Sequence, residues 1–338
     1  MIRCLSRWGC FLGLLALLTA ACGGDEGPAI TEGDRVAISL AVLDDVGHRA
    51  ALYALDQRLV TSTTVDLVMT YLPTSALDEA ARSKQYDVVE TTALAAPAGA
   101  AEGFEFVILS AGLQDLDGTL LFVSADSELR SPSGLTKKTI GVVSRNNPST
   151  LGMRYLLQRG HRIDAGLEGG EVTIEEAPAE SLPRLLDSGD VDAAVLSELA
   201  AFRLEKQDDV RLLSRVTEEL RDLIGAPLLS SVLVTYPDVA AQKAEALVEL
   251  NRLLAESVTY LEANEDAVLE AVASEQQADP EYLRWWSERY DLPLGDLSEE
   301  TQERLLQVWE AARTLGDIES YPDLADVLFN PEATTPSD

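Results

Sequence analysis

Histidine and cysteine are scarce in this sequence, and the few that occur limit the chemistry it can support. The two histidines are His48 and His161, and the three cysteines, Cys4, Cys10 and Cys22, all lie within the first 22 residues. So few imidazoles disfavour a histidine-built zinc or iron centre and a Ser-His-Asp triad. If residues 1–21 are removed as a signal peptide, as their sequence pattern, described below, indicates, Cys22 is the one cysteine that remains. Neither an intrachain disulfide nor a thiolate metal site is then expected. We therefore predict no catalytic residues, no metal and no cofactor.

Basic side chains are also in short supply. The chain has 26 Lys and Arg against 58 Asp and Glu, which gives a formal net charge of −32 at pH 7. Nucleic-acid binding needs a basic face, so nucleic acid is excluded as a partner. With 338 residues, of which 46% are hydrophobic, the chain can bury one large core or two smaller ones.

The first two dozen residues have the pattern of a secretory signal. Arg3 and Arg7 precede an apolar run over residues 11–18, and small residues lead to Cys22. The run is too short for a membrane span. The pattern resembles a bacterial lipobox, which implies that Cys22 receives lipid and becomes the new N-terminus. The alternative is an ordinary signal peptide with an incidental cysteine.

Short apolar runs alternate with helical patterns in the first part of the folded region. Val36 to Val42 is apolar on both faces, which is typical of a buried parallel strand. Further strands are predicted over residues 65–72, 86–90 and 106–109, with helices over 48–59 and 75–85. This alternation predicts an α/β domain with a mainly parallel sheet.

A similar order starts again further along the chain. Residues 191–201 align without a gap with residues 86–96, and in both segments a hydroxyl residue precedes Leu-Ala-Ala. Two successive α/β units are therefore expected. The second has strands over 139–144, 172–175 and 191–196 and helices over 149–159 and 182–188. Amphipathic helices follow over 239–263, 265–274, 280–290 and 298–315.

Two segments carry a resemblance to a known family. Residues 120–142 contain a strand, an Asp-Ser-rich turn and a Lys-Thr-Ile-Gly-Val strand, and residues 185–194 read Leu-Leu-Asp-Ser-Gly-Asp-Val-Asp-Ala-Ala. With the order of elements, the chain is similar over residues 35–330 to the solute-binding proteins of ABC importers. Within them it resembles the group that serves sulfonates, nitrate, taurine and thiamine pyrimidine precursors. The loop from Asp44 to His48 departs from the family's more neutral pattern.

The resemblance implies an α/β fold of the type II periplasmic binding protein kind, with two α/β lobes around a hinge and C-terminal helices. The expected limits are a signal peptide 1–21, a flexible tether 22–34, lobe 1 over 35–122, lobe 2 over 123–230, a return to lobe 1 with the C-terminal helices over 231–330, and a disordered tail 331–338.

The same resemblance implies a function without catalysis. We expect a monomer, lipid-anchored outside the cytoplasm of a bacterium, that captures a small polar organic or anionic solute of the sulfonate, nitrate or pyrimidine-precursor type. It would deliver this solute from an interlobe cleft to an ABC permease. The alternatives are a ligand-sensing lipoprotein that serves a signalling receptor and, less favoured, a pyrimidine-precursor enzyme of the same fold.

The candidate site follows from the position of the strands. In doubly wound sheets, ligands bind beyond the carboxyl ends of the strands. Applied to both lobes, this rule predicts the following ligand-binding residues: Asp44, Asp45, His48, Tyr71, Glu90, Thr91, Thr92, Ser110, Ser144, Arg145, Asn146, Ser149, Thr150, Ser197 and Glu198.

The segment over residues 144–150 favours an anion. It leads directly into a helix, whose first backbone N–H groups attract negative charge, and Arg145 adds a positive charge. For Ser149 the alternative is a helix cap without ligand contact.

Four carboxylates among the candidates favour the opposite charge. If Asp44, Asp45, Glu90 and Glu198 face the cleft, a cationic or amine-bearing solute is favoured. His48 is either a ligand donor in the same cleft or a surface histidine.

Overall fold

The computed structural model describes residues 35–332. The predicted signal peptide, the tether with Cys22 and residues 333–338 of the predicted tail lie outside the described residues. Within residues 35–332, none of the helices combines the length and apolar character that crossing a membrane requires.

Thirteen strands occur in the described part of the chain. In chain order they are β1 (Val36–Leu43), β2 (Val65–Leu72), β3 (Val88–Thr92), β4 (Val107–Ala111), β5 (Gln114–Asp115), β6 (Leu120–Ser124), β7 (Thr139–Val142), β8 (Thr173–Glu176), β9 (Ala193–Leu196), β10 (Val210–Arg215), β11 (Leu228–Leu229), β12 (Ser231–Thr235) and β13 (Tyr290–Asp291).

Fourteen α-helices occur in the same residues. They are α1 (Val46–Ala51), α2 (Tyr53–Asp56), α3 (Thr74–Ser83), α4 (Ala95–Glu102), α5 (Pro148–Gly160), α6 (Leu182–Ser188), α7 (Glu198–Glu205), α8 (Val216–Ile224), α9 (Pro237–Gln242), α10 (Ala244–Ala263), α11 (Glu265–Gln276), α12 (Pro280–Ser287), α13 (Glu299–Leu315) and α14 (Leu324–Val327).

The first large sheet has the strand order β2-β1-β3-β12-β4. β1 pairs in parallel with β2 and β3, whereas β12 is antiparallel to β3 and β4. Ile38 and Leu40 of β1 pack in one hydrophobic core and Ala41 in another, and all three are fully buried. A strand with neighbours at both edges and packed residues on both faces has this continuous apolar sequence.

The second large sheet has the order β10-β6-β9-β7-β8. β7 pairs in parallel with β8 and β9, and β6 is antiparallel to β9 and β10. Read from the β8 edge, this is the same arrangement as in the first sheet, with β9 in the place of β3. The segments that aligned in the sequence, 86–96 and 191–201, thus contain equivalent strands. The prediction of two successive α/β units is confirmed.

A small three-stranded sheet, β11-β5-β13, joins the two large ones and is called the hinge sheet below. The chain passes from the first large sheet to the second through β5 and returns through β11. The limit predicted between lobe 1 and lobe 2, between residues 122 and 123, falls inside β6, which pairs within the second large sheet.

The C-terminal helices contact both halves of the described fold. Leu247, Leu250 and Leu254 of α10 are buried in a core shared with β1 of the first sheet, in agreement with the predicted apolar stripe. α13 packs against α5, and its Trp309 Nε1 donates a 2.7 Å hydrogen bond to the Ala93 carbonyl beside β3. α13 therefore bridges the two large sheets.

Candidate functional site

A cavity of about 160 Å³ lies where the hinge sheet meets the two large sheets. Its walls include the carboxyl ends of β1 and β3, the residues after β9 and Asp115 of β5, which is the edge at which doubly wound sheets bind ligands. The lining residues are Leu43, Thr74, Leu77, Asp78, Glu90, Thr91, Thr92, Leu113, Asp115, Thr119, Asn147, Pro148, Ser149, Ser197, Glu198, Ser230, Ser231 and Tyr290.

Glu90 is a buried carboxylate in the wall formed by β3. Its Oε1 accepts hydrogen bonds from the Ser231 hydroxyl at 2.6 Å and from His48 Nε2 at 2.9 Å. Its Oε2 accepts from the backbone N–H of Leu43 at 3.0 Å. Burial opposes ionisation of Glu90, but the His48 charge and these hydrogen bonds outweigh it and lower the pKa of the carboxyl.

His48 lies behind Glu90 and is fully buried, so the alternative of a surface histidine is wrong. Its Nδ1 lies 2.6 Å from Asp45 Oδ2, and Asp45 also caps α1 by accepting from the N–H groups of Gly47 and His48. Burial opposes the imidazolium, but the carboxylates of Asp45 and Glu90 outweigh it and raise the pKa of His48 well above its usual value. Both ring nitrogens are thus bonded to carboxylates, and neither is available to a solute.

Asp115 brings a second buried carboxylate to the cavity from the hinge sheet. Its Oδ1 accepts from the backbone N–H of Gly118 at 2.6 Å, and its Oδ2 accepts from the Thr119 hydroxyl. Burial raises the pKa of Asp115 to about 6, although these hydrogen bonds act in the opposite direction.

Glu198 is the first residue of α7 and lines the cavity from the second sheet. Its backbone has φ of 52°, a left-handed conformation that is uncommon for a residue with a side chain. Its N–H donates to the Tyr290 hydroxyl at 2.8 Å. Burial, with the nearby negative charges of Asp45, Asp115 and Glu90, raises the pKa of Glu198 to about 7, while the His48 charge lowers it.

The start of α5 is closed by its own side chains. Asn147 is the N-cap, and its Oδ1 accepts from the Ser149 N–H at 3.1 Å and from the Ser149 hydroxyl at 2.9 Å. The Asn147 carbonyl accepts from the N–H groups of Thr150 and Leu151. Because Pro148 has no N–H, the first turn of α5 keeps no free donor for an anion. The cap is therefore Asn147, not Ser149.

Six of the fifteen predicted site residues line the cavity. They are Glu90, Thr91, Thr92, Ser149, Ser197 and Glu198. Asp45 and His48 stand behind this wall and fix Glu90 from outside the cavity.

The other seven predicted residues lie outside the lining, and several already have partners in the fold. Arg145 donates from its guanidinium to the Ile174 carbonyl at 3.0 Å, away from the cavity. Asp44 is paired with Arg49, and the Tyr71 hydroxyl donates to Asp56 at 2.6 Å. The Ser110 hydroxyl donates to the Ala111 carbonyl, and the Thr150 hydroxyl donates to the Ser144 carbonyl. Asn146 lines a smaller neighbouring cavity.

Sequence reasoning missed the residues that precede antiparallel strands. Ser230 and Ser231 stand at the start of β12, and Thr119 stands just before β6. An antiparallel strand begins at the edge where its parallel neighbours end, so Ser231 pairs with Thr92. These residues could have been found if the antiparallel strand of each sheet had been recognised in the sequence. Asp115 and Tyr290 lie on two-residue strands, which have no periodicity to detect.

The described lining has one sign of charge. Asp78, Glu90, Asp115 and Glu198 carry carboxylates, and none of the described lining residues is Lys, Arg or His. Within residues 35–332, no group of three or more His, Cys, Asp or Glu side chains is arranged to hold a metal ion. The cavity therefore offers carboxylates, hydroxyls and a few aliphatic contacts to a small molecule.

Solved structures share this arrangement at low sequence identity. The periplasmic aliphatic sulphonate binding protein SsuA from Escherichia coli is similar with a TM-score of 0.67 and 14% identity over 87% of this chain and 92% of that chain. The alkanesulfonate-binding protein SsuA from Xanthomonas axonopodis pv. citri, bound to MOPS, is similar with a TM-score of 0.66 and 14% identity over 88% of this chain and 99% of that chain. A protein from Archaeoglobus fulgidus is similar with a TM-score of 0.64 and 20% identity over 83% of this chain and 98% of that chain. The predicted two-lobed periplasmic binding protein fold is confirmed.

Sequence comparison adds the family. No curated protein matches the chain. A family model described as "ABC transporter, phosphonate, periplasmic substrate-binding protein" matches residues 47–252, more than half of the chain and most of both large sheets. The predicted resemblance to ABC solute-binding proteins is thereby confirmed. The chain belongs to this family of periplasmic substrate-binding proteins of ABC transporters.

Proposed function

We propose that this chain captures a small polar solute in the described cavity and delivers it to an ABC permease without converting it. The observation that carries the proposal is the composition of the cavity walls. Glu90 and Ser231 come from the first large sheet, Ser149 and Glu198 from helices α5 and α7 that follow strands of the second, and Asp115 from the hinge sheet between them. A solute that contacts all three favours the form in which the sheets are close together.

The names of the similar proteins support the size and polarity of the proposed solute. Two structural neighbours are named for sulfonates and the matching family model for phosphonate, which are small polar acids. A cavity of about 160 Å³ suits a molecule of this size. Sulfonate, nitrate or pyrimidine-precursor solutes, which the resemblance in the sequence implies, are therefore included among the compounds to test.

Titration calorimetry of the purified protein tests solute capture. The panel contains sulfonates, phosphonates, nitrate, pyrimidines and small amines, with recovery of the compound afterwards to show that it is unchanged. We expect one compound class to bind with a stoichiometry of one and to be recovered intact. Absence of binding across this panel and across cell extracts would overturn the proposal.

Delivery has its own test. The solute-loaded protein is added to its permease and ATPase in lipid vesicles, and ATP hydrolysis and solute uptake are measured. We expect both to rise with the loaded protein. Solute binding without this stimulation would favour the sensing alternative, in which the loaded protein contacts a receptor.

Anchoring through Cys22 is part of the same proposal. A lipid on this residue would keep the monomeric protein beside the permease outside the cytoplasm. Mass spectrometry of the N-terminal peptide is expected to show a lipidated Cys22 as the first residue, and Cys22→Ser is expected to release the protein from the membrane fraction.

A further inference from the structure

We propose that the cavity recognises its solute through a cationic nitrogen, with the Glu198 carboxylate as the group that accepts its hydrogen bond. This inference rests on the proposed function and specifies its substrate class. It starts from the charge of the wall: Glu90 of the first sheet, Asp115 of the hinge sheet and Glu198, which follows β9 of the second sheet, all line the cavity. The described lining contains no Lys, Arg or His that would balance them.

Two of these carboxylates already have their partners. Glu90 accepts from the Leu43 N–H, the Ser231 hydroxyl and His48, and Asp115 accepts from the Gly118 N–H and the Thr119 hydroxyl. Behind the wall, the His48 imidazolium is shared by Glu90 and Asp45. One positive and two negative charges leave this group with a net negative charge beside the cavity.

Glu198 differs from both. Within residues 35–332, no hydrogen bond or salt bridge to its carboxylate is formed, although the residue is half-buried in the cavity wall. A carboxylate in this position loses solvent without gaining a partner. An N–H donor that also carries positive charge would supply both the hydrogen bond and the missing charge.

Two positions next to the cavity that could hold an anion, the first turn of α5 and the first N–H of α7, are already bonded within the fold. The first N–H groups of α5 are bonded to Asn147, and the N–H of Glu198 at the start of α7 is bonded to the Tyr290 hydroxyl. Arg145, the cation that the sequence places near this edge, is bonded to the Ile174 carbonyl and stays outside the lining. A bare oxoanion would meet several carboxylates, and none of the described lining residues is a cation that would balance them, which disfavours it.

Matched pairs of probes that differ only by an amino group test the inference. Taurine is compared with ethanesulfonate, and 2-aminoethylphosphonate with ethylphosphonate, while propylamine and 1,3-diaminopropane carry the cation alone. Binding to the purified protein is measured by titration calorimetry. We expect at least one amine probe to bind, and each amine of a pair to bind roughly ten-fold or more tightly than its partner.

Variants connect this preference to one side chain. Glu198→Gln keeps the size of the residue and removes its charge, and it is expected to weaken amine binding by roughly ten-fold or more. Glu303→Gln, at an exposed position on α13 outside the lining, is the matched control and should leave binding unchanged. Circular dichroism of both variants shows whether they are folded.

Proton release gives a measurement on the unmodified protein. Because burial and the neighbouring carboxylates raise the pKa of Glu198 to about 7, some of these carboxyls carry a proton near neutral pH. A cation that binds there is expected to displace that proton, which calorimetry detects as a binding heat that depends on the ionisation enthalpy of the buffer.

The outcomes separate this inference from the proposed function. Amine-dependent binding that Glu198→Gln weakens supports it. If ethanesulfonate or ethylphosphonate binds as tightly as its amine partner, or more tightly, the inference is overturned while solute capture stands. The same holds if panel compounds bind but none of them is an amine. If no compound of any class binds, both fail together.

Discussion

His48 joins two carboxylates that would otherwise repel each other behind the cavity wall. Its ring nitrogens lie 2.6 Å from Asp45 and 2.9 Å from Glu90, and the ring is fully buried. The imidazolium therefore sets the position and ionisation of Glu90. Of the two histidines in the chain, His48 therefore has a structural role: it holds Glu90 in the wall of the candidate site.

Replacing His48 tests that role. His48→Gln removes the positive charge and leaves two close carboxylates, one of them buried, so we expect a loss of about 3 kcal/mol or more in the free energy of unfolding. Urea denaturation measures it. His161→Gln is the control, because His161 and its partner Glu219 are partly exposed, and a loss below about 1 kcal/mol is expected there. Equal losses in the two variants would contradict this account of His48.

The acidic lining also predicts how stability depends on pH. The pKa of Asp115 is raised to about 6 and that of Glu198 to about 7, so the folded chain binds more protons than the unfolded chain between the usual carboxyl pKa of about 4 and these values. The stabilising effect of His48, whose pKa is also raised, is complete below about 6.5 and is lost as pH rises through its folded-state pKa. That of Glu90, whose pKa is lowered, is lost only as pH falls below its usual value of 4.5. The free energy of unfolding of the solute-free protein should therefore fall from about pH 5 to pH 8.

Urea unfolding at several pH values checks this sign. Glu198→Gln is expected to reduce the slope, whereas Glu303→Gln is expected to keep it. A free energy of unfolding that rises between about pH 5 and pH 7 would contradict the raised pKa values of Asp115 and Glu198.

Site residues were predictable where they follow a buried parallel strand. Glu90, Thr91 and Thr92 end β3, and Ser197 and Glu198 follow β9, so the strand-end rule found them from the sequence. It also selected Arg145 and Tyr71, because the rule gives the edge of the sheet and not the direction of a side chain. Which partner each side chain takes depends on tertiary packing that no local pattern contains.

Among the elements, some have the predicted bounds, others are divided, and the two-residue strands were missed. The strand Val65–Leu72 and the helix Leu182–Ser188 have the predicted bounds. The helix predicted over 48–59 is instead two helices that meet at Leu52, whose ψ of 6° lies outside the helical range. The strands of the hinge sheet have two residues each, and only their neighbours across the sheet define them.

One buried ion pair fastens α5 to the segment after α13. Arg154 of α5 is fully buried, and its guanidinium donates to both carboxylate oxygens of Asp317 at 2.7 and 3.0 Å. Its Nε also donates to the Ala165 carbonyl. This pair connects the C-terminal helices to the second sheet, and Trp309 connects them to the first.

Removing one partner of this pair should be costly. Asp317→Asn leaves the Arg154 charge buried without a counter-charge, and a loss of about 3 kcal/mol in the free energy of unfolding is expected. Glu281→Gln breaks the exposed pair between Lys206 and Glu281 and is expected to cost less than about 1 kcal/mol. Denaturant unfolding of both variants compares them. A small loss in Asp317→Asn would mean that α13 is held mainly by its apolar contacts.

For the whole molecule, the resemblance and the order of elements predicted two α/β units and a family, and both are confirmed. β12 and β6 are antiparallel strands at the same position in their two sheets, and this was not predicted. Each of them enters its sheet after the chain has passed through the hinge sheet. Topology of this kind depends on contacts between distant parts of the sequence.

The hinge arrangement predicts a change in distance between the sheets on binding. Spin labels at Asp66→Cys on β2 and Glu175→Cys on β8, in protein without Cys22, would report the separation of the two edge strands. A bound solute is expected to shift and narrow this distance distribution, since it favours the form in which both sheets contact it. The control pair, Asp66→Cys with Glu245→Cys on α10, should not change. An unchanged distribution in the first pair would argue against closure around the solute.

The most direct test of the central claim is a crystal structure of the protein purified with the solute it retains from its host. We predict one small molecule in the cavity, in contact with Glu90 of the first sheet and with Glu198 after β9 of the second, and with a nitrogen toward the Glu198 carboxylate. A retained solute bound elsewhere on the protein, or held by residues of one sheet alone, would contradict the account.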